Sequence, residues 1–355
     1  MLEKTSERIQ QLLHDSGLLP STKKKNNIIP FAHYHFSEET ILITGAAGSI
    51  GSGLVNQLLQ ASFKQLILID HAESSLYYLI KELELQQNNN IHFLILDVRD
   101  NKSMISLFQT YKPTLIFHTA AYKHVSLMED NPYEAVKLNV FATKMLADLA
   151  IEHRAKKFVF ISTDKAVEPI SVMGMTKFIA ERHLDLLNSN TNTIFLTTRF
   201  GNIFGSNGSV VPTFIKQIEK GKPITLSNEL ATRYFIDKNK ACCLILKVAN
   251  MTELKGHTIT FNMGEPIKIL DLANALREIY NDKTKIEITD LKIGEKIHES
   301  IVSENEILTA TSDKDVFVIL KKEKINNEIV DLSVLYNITP DTNVYEIKSL
   351  LRSYI

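Results

Sequence analysis

Four consecutive residues, Ser162, Thr163, Asp164 and Lys165, follow the apolar run KFVFI. A hydroxyl, a carboxylic acid and an amine leave one strand end together, which is the equipment for proton transfer. Further on, Met173 opens a helical stretch and Lys177 follows it four residues later. That spacing puts both side chains on one helix face. A thioether neither gives nor takes a proton at useful pH. Near neutral pH the acid must rise and the amine must fall, and desolvation does both. An ion pair between them pushes each the other way, and a ligand would then have to separate them.

A second constellation lies earlier in the chain. Gly45, Gly48 and Gly51 fall in TGAAGSIG, between the run ILIT and the amphipathic stretch SIGSGLV. A glycine turn there lets backbone approach a pyrophosphate, and the helix start adds free N–H groups and a positive dipole end. Ser49 and Ile50 belong to the same turn. Asp70 ends the next apolar run, 19 residues beyond Gly51. A carboxylate there accepts from the adenosine ribose hydroxyls and repels a 2′-phosphate, so NAD is expected over NADP. The other reading of Asp70 is a cap for the following helix. Asp97 and Val98 end the third run and Ala120 follows the fourth; these three join the cofactor set, with Asp97 toward the adenine edge or simply opening a turn.

Both constellations need a scaffold. ILITG, QLILID, IHFLILD, TLIFHTA and KFVFIST are short and apolar throughout, as strands covered on both faces are. Between them run SIGSGLVNQLLQA, ESSLYYLIKELELQ, NKSMISLFQTY and PYEAVKLNVFATKMLADLAIEHRA, all of helical period. TIFLTTRF adds a sixth strand. The order predicts an α/β doubly wound parallel sheet of Rossmann type, with ligands at the carboxyl ends of its strands. After Phe200 the rhythm loosens through GNIFGSNGS, and KPITL and KIEIT stand isolated, as in a smaller α+β substrate lobe. The expected division is an N-terminal extension over 1–37, a cofactor domain over 38–200 with about 236–262, and a lobe and tail over 201–235 with 263–355. In the extension, SERIQQLLHDSGLL predicts an amphipathic helix and KKKNN a linker; the helix either packs on its own chain or docks a partner.

Composition narrows the classes. The chain has 355 residues, 44% hydrophobic and 23% charged, with a formal net charge of −1. No broad basic field exists, so nucleic-acid binding has no compositional support. The two cysteines, Cys242 and Cys243, are adjacent and form no ordinary disulfide. They read as buried helix residues, no metal cluster is expected, and the pattern fits a reducing compartment. No secretory leader and no run of ~20 apolar residues appears, so a cytoplasmic protein without a membrane span is expected.

The motifs HTAAYKHVSLMEDNPYEAVKLNV, STDKAVEPISVMGMTK, RFGNIFGSNGSVVPTF, ATRYF and GEKIHE, behind the GxxGxxG turn, carry a resemblance. From about Thr40 to about Ile301 the chain resembles the extended short-chain dehydrogenase/reductases. More narrowly, it resembles the nucleotide-sugar 4,6-dehydratases of bacterial polysaccharide biosynthesis. Met173 stands where the superfamily has a tyrosine, which argues against a 4-epimerase or simple dehydrogenase. One dehydratase subgroup is similar in having Met there and Asp-Lys in the preceding loop. The resemblance implies NAD, held tightly, and a UDP-N-acetylglucosamine substrate oxidised at C4, dehydrated across C5 and C6, and reduced at C6. It implies Lys165 as base at C5, Asp164 as acid at C6, Thr163 at the C4 hydroxyl and Lys177 at the nicotinamide ribose. On the substrate side it implies Tyr122, Lys123 and His124, then Asn202, Ser209, Arg233 and Glu295, with the Arg233 fork suited to a diphosphate. It gives Asn139 and Arg199 supporting places. A homodimer or higher homo-oligomer is implied through helices at about 132–153 and 172–189. An NAD-binding regulator without activity is the alternative of another class, disfavoured by intact Asp164, Lys165 and Lys177. UDP rests on resemblance, and GDP and dTDP stay open.

Overall fold

The computed structural model describes residues 2–18, 35–83, 89–254, 256–281, 283–322 and 331–355. Six strands follow the predicted runs: β1 (Phe36–Thr44), β2 (Phe63–Asp70), β3 (Ile91–Ile95), β4 (Leu115–His118), β5 (Lys157–Ile161) and β6 (Ile194–Thr198). They pair in parallel in the order β3-β2-β1-β4-β5-β6, and strand Thr258–Phe261 extends β6 in the same sense. The uninterrupted apolar runs have a direct cause. In β1, Ile41 and Ile43 enter the core on one face of the sheet while Leu42, between them, enters the core on the other. The same alternation puts Leu66 and Leu68 of β2 on one side and Ile67 and Ile69 on the other. Each fully buried side chain of this size contributes roughly 1.5–3 kcal/mol. The order reverses between β1 and β4, and a crevice opens at such a switch point, outside the carboxyl ends of the strands.

One expectation about organisation needs correction. Residues 306–321 do not lie in the lobe: Glu306–Ala310 and Val316–Lys321 add two antiparallel strands to the far edge of the main sheet. The apolar alternation of Val316–Lys321 covers an edge that Thr258–Phe261 would otherwise leave open. Residues 331–355 form a tail apart from the lobe. Leu332, Leu335, Ile347 and Leu351 pack against Val136, Val140, Val172 and Ile179. The helix faces expected to pair between copies are therefore covered in part by the chain's own tail.

The lobe itself contains helix Val210–Glu219, helix Ile269–Ile279 and a parallel strand pair, Ile224–Leu226 with Ile286–Ile288, so KPITL and KIEIT are partners. The N-terminal helix Leu2–Asp15 packs on this lobe: Ile9, Leu12 and Leu13 are buried with Phe204, Phe214 and Leu276. Arg8 donates to the carbonyls of Met263 and Glu265. The KKKNN stretch lies outside the described residues. Cys242 is buried and Cys243 partly so, both unpaired, and burial pushes the Cys242 thiol up to about 12. Among the described residues no helix is long and apolar enough to cross a membrane.

Candidate active site

The glycine turn fills the end of β1. Gly45 has φ +66°, and a Cβ on it would stand 2.8 Å from Ala120 Cα. A Cβ on Gly51 would stand 2.2 Å from the Gly45 carbonyl oxygen. Helix Ser49–Leu58 starts at this turn, capped by Gly48 with no side chain in the way. Its first N–H groups have no intrahelical acceptors and face the crevice end of the sheet. Asp70 holds the turn: its Oδ2 accepts the Ala47 N–H and its Oδ1 the Ala72 N–H, each at 3.0 Å. Ala72, not Asp70, is the cap position of the next helix. A cleft of about 280 Å³ brings together Gly45, Gly48, Asp70, Asp97, Val98 and Ala120. Ser49, Ile50 and Gly51 do not line it; they form the helix's first turn.

Asp97 is tethered. Arg99 Nε donates to both of its oxygens at 3.0 Å, and Arg99 also pairs with Glu134. The Arg99 hydrogen bonds hold Asp97 below the usual carboxylate range, against an opposing effect of burial. Asn207, from the loop after Phe204, closes over the same cleft; its N–H reaches Ser49 Oγ at 3.4 Å and its carbonyl accepts from Lys123 Nζ at 2.9 Å. The lobe thus touches the cofactor turn directly, a contact with no local signal in the sequence. Burial lowers the Lys123 amine. The His124 imidazole lies against Gly208, whose φ of +68° and 2.7 Å virtual Cβ contact leave room for no side chain.

At the end of β5 the proton-transfer set assembles. Asp164 is fully buried, and its Oδ1 accepts from Lys165 Nζ at 3.0 Å and from Thr163 Oγ1 at 2.9 Å. Its Oδ2 has no partner. Lys165 Nζ also lies 3.4 Å from Asn202 Oδ1 and 3.4 Å from Glu299 Oε1. Burial alone would lower the Lys165 amine, but Asp164 and Glu299 outweigh it and the net shift is upward. The ion pair contemplated from sequence is therefore present, with a second carboxylate. Glu299 is buried and its Oε2 is also unpartnered. The resemblance points to Glu295 of GEKIHE; Glu299, the other carboxylate of that motif, is the one at Lys165. Glu295 is half-buried with Oε2 unpartnered.

Arg233 does not present a free fork as expected. The two terminal nitrogens of Arg233 donate to the carbonyls of Thr232, Lys296 and Ile297 at 2.7 to 2.8 Å, clamping the loop that carries Glu299. Ser209 precedes helix Val210–Glu219, with its hydroxyl buried and unpartnered.

Helix Val172–Leu187 supplies Met173 and Lys177. Met173 is buried among Met128, Val136 and Ile179, and its backbone carbonyl accepts from Thr176 Oγ1 at 2.8 Å. Lys177 is buried, with Nζ 3.8 Å from the centre of the Phe160 ring. Burial lowers its amine to about 7, while Glu181 pulls the other way. Arg199 is a buried strut: it pairs with Glu181 at 2.6 Å and Glu306 at 2.8 Å. His118, at the end of β4, went unremarked in the sequence. Its Nδ1 meets Thr44 Oγ1 at 2.8 Å and its Nε2 meets Thr143 Oγ1 at 2.9 Å. Burial, then Lys177, pushes it down to about 3, so it is neutral between the strands. Asn139 grips the Tyr122 backbone through both N–H and carbonyl at 3.0 Å and reaches Thr176 Oγ1 at 3.1 Å. It does so from a π-helical stretch, Val136–Ala142, that turns this side chain inward.

A parallel sheet with a glycine turn at its switch point and a Thr-Asp-Lys set one strand beyond defines the extended short-chain dehydrogenase/reductase class. A family described as "Polysaccharide biosynthesis protein" matches residues 41–321, and the chain belongs to that family. It is similar to the capsular polysaccharide biosynthesis protein CapD of Staphylococcus aureus, 42% identical over 277 residues, 76% of this chain and 46% of CapD. The chain spans about half the length of that relative. A UDP-glucose 4-epimerase of Rickettsia rickettsii is 31% identical over 290 residues, covering 79% of this chain and 83% of that protein. The solved structure of Pen from Bacillus thuringiensis superposes with a TM-score of 0.74 at 31% identity, covering 81% of this chain and 91% of Pen.

Proposed function

We propose that the chain is an NAD-dependent 4,6-dehydratase of a UDP-sugar, with UDP-N-acetylglucosamine as substrate. The observation that carries the reading is the buried Asp164–Lys165 pair at the β5 end, with Met173 where a tyrosine base would stand. The cofactor is NAD. The glycine turn leaves room for a pyrophosphate but no Cβ, and Asp70 faces the same cleft with acceptor capacity beyond its two backbone bonds. When bound, NAD supplies a reversible hydride acceptor for the sugar carbons.

The protein's own groups move the protons. Thr163 holds the C4 hydroxyl, and Lys177 holds the nicotinamide ribose. The ion pair is the resting state, not the reactive one. Moving one proton from Lys165 Nζ to Asp164 Oδ1, across their 3.0 Å contact, yields a neutral amine and a neutral acid. Those are the base needed at C5 and the acid needed at the C6 hydroxyl. A sugar that displaces water from the site favours this neutral pair, because desolvation disfavours both charges. Lys165 then takes the C5 proton while Asp164 gives its proton to the departing oxygen, and water leaves. Arg233 orders the loop behind this pair, and diphosphate contacts of its own require exchange of its carbonyl partners.

The test is product mass after incubation with UDP-N-acetylglucosamine. Loss of one water, with solvent deuterium at C5, supports the reading. Unchanged mass with a new epimer would make the chain a 4-epimerase, like its Rickettsia relative. Tight NAD binding without turnover would make it a regulator.

A further inference from the structure

Glu129 takes no part in the chemistry above, yet it is a buried carboxylate where three segments meet. It belongs to the short helix Val125–Asp130 and is 8% exposed. Its Oε1 accepts the Val172 N–H at 2.7 Å. Val172 is the first residue of the helix that carries Met173 and Lys177. The other Glu129 oxygen, Oε2, pairs with Lys348 Nζ at 2.9 Å, from the C-terminal helix Val344–Arg352. The third segment is the loop that begins at Gly294. With φ +81° there, a Cβ would stand 3.1 Å from Glu129 Oε1 and 2.9 Å from Ser171 Cβ. That loop leads to Glu299, which faces Lys165.

A carboxylate this buried is costly without a cation, and Lys348 supplies one. Residues 331–355 lie beyond the stretch the family match covers, which ends at 321. Their apolar side chains seal the same helix, where Leu335, Ile347 and Leu351 pack with Met173, Met175 and Ile179. We infer that Lys348 and Glu129 form a positioning pair through which the C-terminal helix fixes the start of the Lys177 helix and the loop leading to Glu299. Only the activity readout of this inference rests on the proposed dehydratase function.

Hydrogen exchange tests it on the full chain with NAD bound. In Lys348→Met, amides of 172–176 should exchange about tenfold faster, while helix Ser49–Leu58 keeps its protection. Lys348→Arg should restore the parent pattern. Glu129→Gln keeps an acceptor for the Val172 N–H but loses the ion pair, and should match Lys348→Met. The double variant should be no worse than either single one. Per NAD-loaded molecule, kcat should fall about tenfold with KM changed less than about twofold. Parent-like exchange at 172–176 in Lys348→Met overturns the inference, as do effects that simply add in the double variant. If the parent turns over no UDP-sugar, the function reading fails while the exchange result still decides this one.

Discussion

The cofactor cleft at β1 and the proton-transfer set at β5 are separated by a single strand, yet they are made of different material. The cleft is backbone: a glycine turn, a helix start, and carboxylates tied to near neighbours, Asp70 to Ala47 and Ala72, Asp97 to Arg99. The β5 site is charge. Asp164 and Lys165 hold each other, and their further partners, Asn202 and Glu299, come from distant parts of the chain. A backbone site is formed by shape and fails when atoms are added. A charged site keeps its shape when a side chain is trimmed and fails through its proton affinities.

The largest effect should follow from Lys165→Ala. Water loss should drop by roughly 10²–10⁴, the range for a lost general base, and bound NAD should stay in place. Product formation and cofactor content per molecule measure the two separately. Loss of both would show that the regions are not independent. Gly51→Ala is the reciprocal case. Its Cβ would press on the Gly45 carbonyl and shift the turn, so NAD affinity should fall about 100-fold. Lys165 and Asp164 should be unaffected, and titration with NAD checks the loss.

The same contrast explains what could be read from sequence. The glycine turn, its strand, its helix and Asp70 lie within a short stretch, so their spacing carries the geometry. The Thr163-Asp164-Lys165 set was equally visible, because the residues are adjacent. Its ionisation was legible only in part: against burial, Lys165 is raised first by its neighbour Asp164 and then by Glu299, and the second lies more than a hundred residues away. His118 hid for another reason: it ends a strand whose apolar run looked complete, and its two threonine partners come from β1 and a distant helix. The tail strands at 306–321 were misplaced because an antiparallel edge strand and a lobe strand show the same alternation. Arg233 was expected to offer its fork to a ligand, and nothing in ATRYF shows that two carbonyls of a distant loop, Lys296 and Ile297, occupy it together with that of Thr232.

A smaller effect is expected at Asp70. Asp70→Asn keeps the size but replaces one acceptor oxygen with a donor facing a backbone N–H. NAD affinity should fall by roughly tenfold, the scale of one hydrogen bond to a charged group. Discrimination against NADP should weaken with it, and competition between the two cofactors measures both. Unchanged discrimination would mean that Asp70 serves only the turn.

The smallest change in maximal rate, and the sharpest reading of the β5 site, should come from Glu299→Gln. The substitution preserves shape and removes one of the two carboxylates that raise the Lys165 amine. With that charge gone, the Lys165 proton leaves at lower pH. The resting pair shares one proton, which Asp164 must give to the C6 oxygen, so losing it to solvent ends turnover and the limb of kcat/KM that descends with pH should move to lower pH, while the plateau stays within about threefold. The direction is fixed by the sign of the removed charge: a lost anion can only make an ammonium more acidic. An unmoved limb would separate Lys165 from the titration that governs rate. Loss of turnover at every pH would instead make Glu299 the base, with Lys165 its electrostatic partner, and the backbone cleft would bind NAD as before in either case.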